Sequence, residues 1–240
     1  MSKLSVDQKT IKDLLTDKSA NFLIPDYQRP YAWAEEECQT LWDDIFTFAF
    51  PDENKDEFNT NDEYFLGAIV TFKNNKKQSE VIDGQQRLTT LLMLLRAFYD
   101  KFTSMADNPS KDMMNLISQC IWQTNEFGNA DMSNLKIDSE VATDDEKQEF
   151  LAILKTGLSN KSMNSNYAKN YIFFESKIAS FIEKFASYLP YFPARILNNC
   201  IVLPIEADSQ DTALRIFSTL NDRGMPLADA DIFKAQFYKF

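Results

Sequence analysis

The chain has 240 residues, 44% of them hydrophobic and 13% aromatic, which is enough for one sizeable core, and its 5 glycines and 8 prolines exclude a fibrous or low-complexity protein. A net charge of −11 makes the bulk surface repel nucleic acid and acidic membranes, so any site for a polyanion must be a local cluster of Lys and Arg. The chain contains no histidine, which removes the usual general base, the usual zinc ligand and every imidazole triad; catalysis would have to use carboxylates, amides, Arg or an oxygen-bound metal.

In chain order, Ile11, Leu14 and Leu15 stand at helical spacing within residues 5–17, and "NFLIP" reads as a short strand stopped by Pro25. "DYQRPYAW" is too rich in proline and aromatics for a helix. From Glu35, the set Cys38, Leu41, Trp42, Ile45 and Phe46 predicts a helix with acidic residues in its first turn. "YFLGAIVTF" and "SEVID" read as two strands joined by the turn "KNNKKQ", which suggests a hairpin. A buried helix is expected from Leu88 through Phe102. Residues 103–166 read as an irregular or helical insertion, and residues 167–189 as a helix ended by "PYFP". "CIVLPIEA" is the last strand candidate; a helix capped by Asp208 or Ser209 follows, broken at "NDRG" before a further helix from about Asp229.

Cys38, Cys120 and Cys200 are few and widely spaced, which predicts buried free thiols in a reducing cytoplasm. The N-terminus lacks a signal-peptide core, and no stretch reaches the roughly 20 apolar residues of a membrane span. The closing "DADIFKAQFYKF" is a helical pattern with no glycine, proline or polar tail, so these residues are expected to be the N-terminal part of a longer chain.

Three stretches carry the candidate chemistry. In "VIDGQQRLTTL" a strand runs into Asp83-Gly84 and then into a helix, so free N–H groups and Arg87 face the turn and suit phosphate oxygens. Gln85 and Gln86 add amides, Thr89 and Thr90 hydroxyls, and Asp83 is the nearest carboxylate for Mg²⁺ or for orienting water. The stretch lacks the glycine density and lysine of a P-loop; Asp-Gly before a helix is a common turn, and an Arg in a first helical turn is usually a solvated charge or the partner of a carboxylate. "IPDYQRPYAW" sets Gln28 and Arg29 among Tyr27, Tyr31 and Trp33, aromatics that could stack on a base or pack the pair. "IFSTLNDRGMPL" places Asn221, Arg223 and Gly224 in a helix break, where Gly224 serves equally as a C-terminal cap.

Together with "YFLGAIV", these stretches resemble the N-terminal domain of GmrSD-type modification-dependent restriction endonucleases and related phage-defence proteins; "DGQQR" is the most specific element, and only the middle is unmatched. The resemblance implies an α+β fold, a small mixed sheet of the ParB/sulfiredoxin type among many helices, in a single nucleotide-binding domain over 1–240. It implies binding and hydrolysis of a nucleoside triphosphate, with Asp83, Gly84, Gln85, Gln86 and Arg87 as the nucleotide and catalytic motif, Gln28 and Arg29 facing it, and Asn221 and Gly224 closing the pocket. The family's nuclease motif is His-based and lies in a C-terminal half, so DNA cleavage does not carry over to these residues, and DNA is expected to be met only through the full-length protein. A nucleotide sensor without turnover and a ParB-like Mg²⁺-dependent nuclease are the alternatives. A homodimer remains open as an assembly.

Overall fold

The computed structural model describes residues 5–141, 144–157 and 164–222. Along the chain run β1 (Ser5–Val6), β2 (Lys9–Thr10), α1 (Ile11–Thr16), β3 (Phe22–Ile24), α2 (Glu35–Ala49), β4 (Tyr64–Lys73), β5 (Ser79–Asp83), α3 (Gln85–Thr103), α4 (Asn108–Ile121), β6 (Trp122–Thr124), β7 (Ala130–Leu135), β8 (Ile137–Ser139), α5 (Lys147–Thr156), α6 (Asn166–Phe185), α7 (Tyr191–Asn199), β9 (Cys200–Ala207) and α8 (Gln210–Asp222). The fold is α+β. Its main sheet has the order β1-β9-β4-β5-β3-β8, with β2 also on β9, and β6 and β7 form a separate hairpin. Strand β5 turns back antiparallel on β4, whereas β3 runs parallel to both β5 and β8.

Burial on both faces explains why β4 and β9 read as continuous apolar runs. Alternation divides them: Ile69, Val81 and Val202 join the large core, while Val70, Ile82 and Leu203 join a smaller one closed by Ala213 and Ile216 of α8. Helix α3 is the hub of the large core. Residues Leu91 to Leu95 are all buried, so this helix is apolar around its whole circumference rather than along one stripe. An aromatic cluster of Trp42, Phe50, Phe98, Phe181 and Phe192 fills the space between α2, α3, α6 and α7, with ring centroids about 5–6 Å apart.

Several expectations need correction. The helix of residues 5–17 is confined to Ile11–Thr16, because the residues before it pair with β9. Within the segment 103–166, read as irregular or helical, α4 packs on α3, and β8 forms an edge of the main sheet. The helix read over residues 167–189 ends at Phe185, ahead of "PYFP", and Pro193 sits in the first turn of α7, where its missing N–H costs nothing. Helix α3 starts at Gln85 rather than near Leu88. The hairpin of β4 and β5 forms as expected, and Ser209 accepts a hydrogen bond from Thr212 N (3.3 Å) at the start of α8. The further helix expected from about Asp229 lies outside the described residues. Cys38, Cys120 and Cys200 are buried and free, and burial pushes the thiols of Cys38 and Cys120 up to about 12. No described helix is long and apolar enough to cross a membrane.

Candidate functional site

The turn between β5 and α3 depends on Gly84. Its backbone is left-handed (φ 88°), and a Cβ there would stand 3.0 Å from the carbonyl oxygen of Ala68 and 3.1 Å from Ile69 Cγ1. As the residue preceding the helix it supplies no side chain to cap α3. The first-turn N–H groups of a helix have no intrahelical acceptor, so this start is suited to an anion. Arg87, in the same turn, lies across Gly67: a Cβ on Gly67 (φ 126°) would fall 2.7 Å from Arg87 Nη1. A glycine inside a strand is the sequence signal for such a close approach. Arg87 Nη1 donates to Ala68 O at 3.1 Å, and no carboxylate among the described residues forms an ion pair with it. Burial lowers the guanidinium pKa from its ordinary value, opposed by the charges of Asp83 and Tyr64.

The amides of this motif and of "QRPYAW" bind the two segments together. Gln86, 7% exposed, accepts from Ala32 N (2.8 Å) and Trp33 N (3.3 Å) through Oε1 and donates Nε2 to Pro30 O (3.1 Å). Gln85 Nε2 donates to Arg29 O at 3.2 Å, and Gln28 Nε2 donates to Val81 O and Ile82 O at 3.2 and 3.1 Å. These amides replace backbone partners that an irregular loop lacks. Tyr31 belongs to the core, where it stacks on Tyr167 at 4.7 Å and its hydroxyl meets Thr90 Oγ1 at 2.7 Å. Asn170 donates Nδ2 to Tyr31 Oη (2.9 Å) and to Trp33 O (2.8 Å), a support that lay too far along the sequence to be anticipated.

Gln28, Arg29 and the whole of Asp83 to Arg87 line one cleft of about 560 Å³, with Trp33 and Phe217 on its walls. Arg29 is solvent-exposed, while Arg87 is half-buried at the base of the turn. Phe217 comes from α8, so the helix carrying Asn221 borders the cleft; the side chain of Asn221, and Arg223 and Gly224 entirely, lie outside the described residues. Thr89 is not among the lining residues and is only 2% exposed. Asp83 is the sole carboxylate on the cleft wall among the described residues, and no group of three or more possible metal ligands occurs among them. A neighbouring groove of about 400 Å³ shares Trp33 and Arg87 and carries Glu36, Glu37 and Asp44.

Fold and site thus define an α+β domain with a cationic cleft at a strand-to-helix turn. Residues 11–238 match the family described as GmrSD restriction endonuclease, N-terminal domain, and the chain belongs to that family. An uncharacterized protein of Methanocaldococcus jannaschii is 24% identical over 265 residues, covering 99% of this chain and 43% of the relative. The chain therefore spans less than half the length of that relative.

Proposed function

We propose that the cleft binds a nucleoside triphosphate and hydrolyses it, as the regulatory part of a modification-dependent restriction system whose nuclease lies elsewhere in a longer protein. The observation that carries this reading is the meeting of an exposed and a half-buried guanidinium, Arg29 and Arg87, with an uncapped helix start and one carboxylate in a single cleft. Its volume of about 560 Å³ falls within the roughly 300–1,000 Å³ of small-molecule sites. Arg87 would hold phosphate oxygens with its planar fork, Arg29 would cover them from the solvent side, and Trp33 offers an aromatic face to a base.

One carboxylate suits a Mg²⁺ ion that arrives bound mainly by the nucleotide's own phosphates and takes only one or two protein oxygens. Such an ion would neutralise developing phosphate charge, and Asp83 would meet it or orient the attacking water. Gln28 and Gln86 act as positioning residues, because their amide groups already bond the backbone. That commitment favours a second reading, binding without turnover, in which Asp83 alone is too little to activate water; phosphate release measured against binding separates the two.

The test is calorimetric titration of each nucleoside triphosphate with Mg²⁺ against the wild type, Arg87→Ala and Arg87→Lys, after confirming that all three are folded. Loss of charge-assisted hydrogen bonds worth about 1.5–3 kcal/mol should weaken binding roughly ten- to a hundredfold in Arg87→Ala. Arg87→Lys should fall in between, since the charge stays and the fork is lost. Equal affinities in the three proteins would remove Arg87 from the site.

A further inference from the structure

A second concavity, of about 660 Å³, lies at the opposite ends of the same strands. Asn21 precedes β3, Gln78 precedes β5 and Ile137 opens β8, and all three line it; the phosphate-suited cleft lies beyond the carboxyl ends of β3 and β5. Four lysines from three separate parts of the chain converge here: Lys18 after α1, Lys76 and Lys77 in the β4–β5 turn, and Lys155 in α5. All four are exposed, and none forms an ion pair among the described residues. Asp138 is the one carboxylate among the lining residues. In a chain of net charge −11, this gathering of unpaired cations runs against the bulk field.

The wall of this groove continues into the β6–β7 hairpin, which contributes Gln123 and Asn134. At the tip of that hairpin Phe127 is 81% exposed, the most exposed of the large apolar side chains described, and Met132 on β7 is 50% exposed. The tip is held in shape: Asn125 Oδ1 accepts from Phe127 N and Asn129 N, both at 3.0 Å, and Gly128 takes the left-handed conformation (φ 81°). The turn's hydrogen bonds hold the Phe127 ring outside the core, where a partner can reach it.

We propose that the lysine groove and the Phe127 hairpin form a DNA contact on this domain, in which the lysines take backbone phosphates and Phe127 stacks on an exposed base or wedges into a base step. Lysines on flexible stems make sequence-independent phosphate contacts, and an aromatic ring reaches the bases. The contact is independent of nucleotide binding at the other end of the strands.

The experiment measures binding of the 240-residue chain, without nucleotide, to single-stranded and duplex oligonucleotides of one sequence across a salt series, with vesicles of anionic phospholipid as a separate arm. Wild type should bind DNA with an affinity that falls steeply with salt. The triple variant Lys18→Gln, Lys76→Gln, Lys155→Gln, with an unchanged melting curve, should lose about tenfold or more in affinity and about two to three units of log–log salt slope, at roughly 0.7 to 0.9 per contact. Phe127→Ala should weaken single-strand binding about five- to a hundredfold, and Phe127→Trp should keep it and show quenched indole emission on stacking. DNA binding that is absent at low salt, or unchanged in the triple variant, would overturn the proposal, as would binding to vesicles and not to DNA. Loss in the lysine variant with none in Phe127→Ala would overturn the stacking contact.

Discussion

The parallel strands β3 and β5 end in two differently built regions. At their carboxyl ends, side-chain amides of Gln28, Gln85 and Gln86 bond the backbone of a partner segment more than fifty residues away, and the arginine in the turn lies against a strand glycine. At their amino ends, four lysines stand on turns and a helix surface with no ion-pair partner among the described residues. The first region spends its polar groups on holding its own shape. The second leaves its cations open to an outside partner, although the Gln123 amide beside them donates to Ala20 O at 2.9 Å. Positioned chemistry needs supports that fix a group to within a fraction of an ångström, whereas contact with a polymer backbone needs charge on stems that can adapt.

This contrast breaks down if the carboxyl-end amides carry no stability. Gln86→Leu removes the partner of the N–H groups of Ala32 and Trp33 and of the carbonyl of Pro30 in a part-buried loop, and should cost about 1.5–4.5 kcal/mol in urea unfolding, at about 0.5–1.5 kcal/mol for each of the three hydrogen bonds. Gln86→Glu keeps the acceptor and loses the donor, and should fall between it and wild type. Gly84→Ala should cost about 1–3 kcal/mol through backbone strain, read as a lowered melting temperature. At the other end of the strands, Lys76→Gln with Lys155→Gln should change stability by no more than about 0.5 kcal/mol while altering any salt-dependent association. A loss of more than about 1 kcal/mol there would mean that the lysines have a structural role after all.

The smallest effect is electrostatic. Beside the groove, the Asp17 carboxylate accepts from Ser19 N and Ser19 Oγ, both at 2.8 Å, and faces Lys9 at 3.5 Å. The Ser19 backbone bond first, then its hydroxyl and Lys9, hold the pKa below the usual 3.8 against the opposing effect of burial. A carboxyl depressed in the folded state contributes stability that is present above pH 3.8 and is lost as pH falls through the folded value. Asp17→Asn should remove that share, so wild type and variant should converge in melting temperature as pH drops below 3.8.

Most of what bears on the cleft was legible in the chain itself. Continuous apolar runs bounded by turn residues marked the β4–β5 hairpin, β3 and β9, and helical spacing marked α2, α3 and α6, because both patterns are local consequences of burial. Asp83-Gly84 marked the turn for the same reason: only glycine takes a left-handed backbone freely. Local pattern did not show β8, three residues long and held as a strand by its parallel pairing with β3, nor the start of α7 inside a proline-aromatic run. The roles of the glutamines were also out of reach, since an amide's partner is another segment's backbone and no spacing encodes which one. The same holds for the charges. A net of −11 describes the sum over the chain, while the placing of Lys18, Lys76, Lys77 and Lys155 in one groove is decided by the sheet order β5-β3-β8, which brings distant turns to the same strand ends.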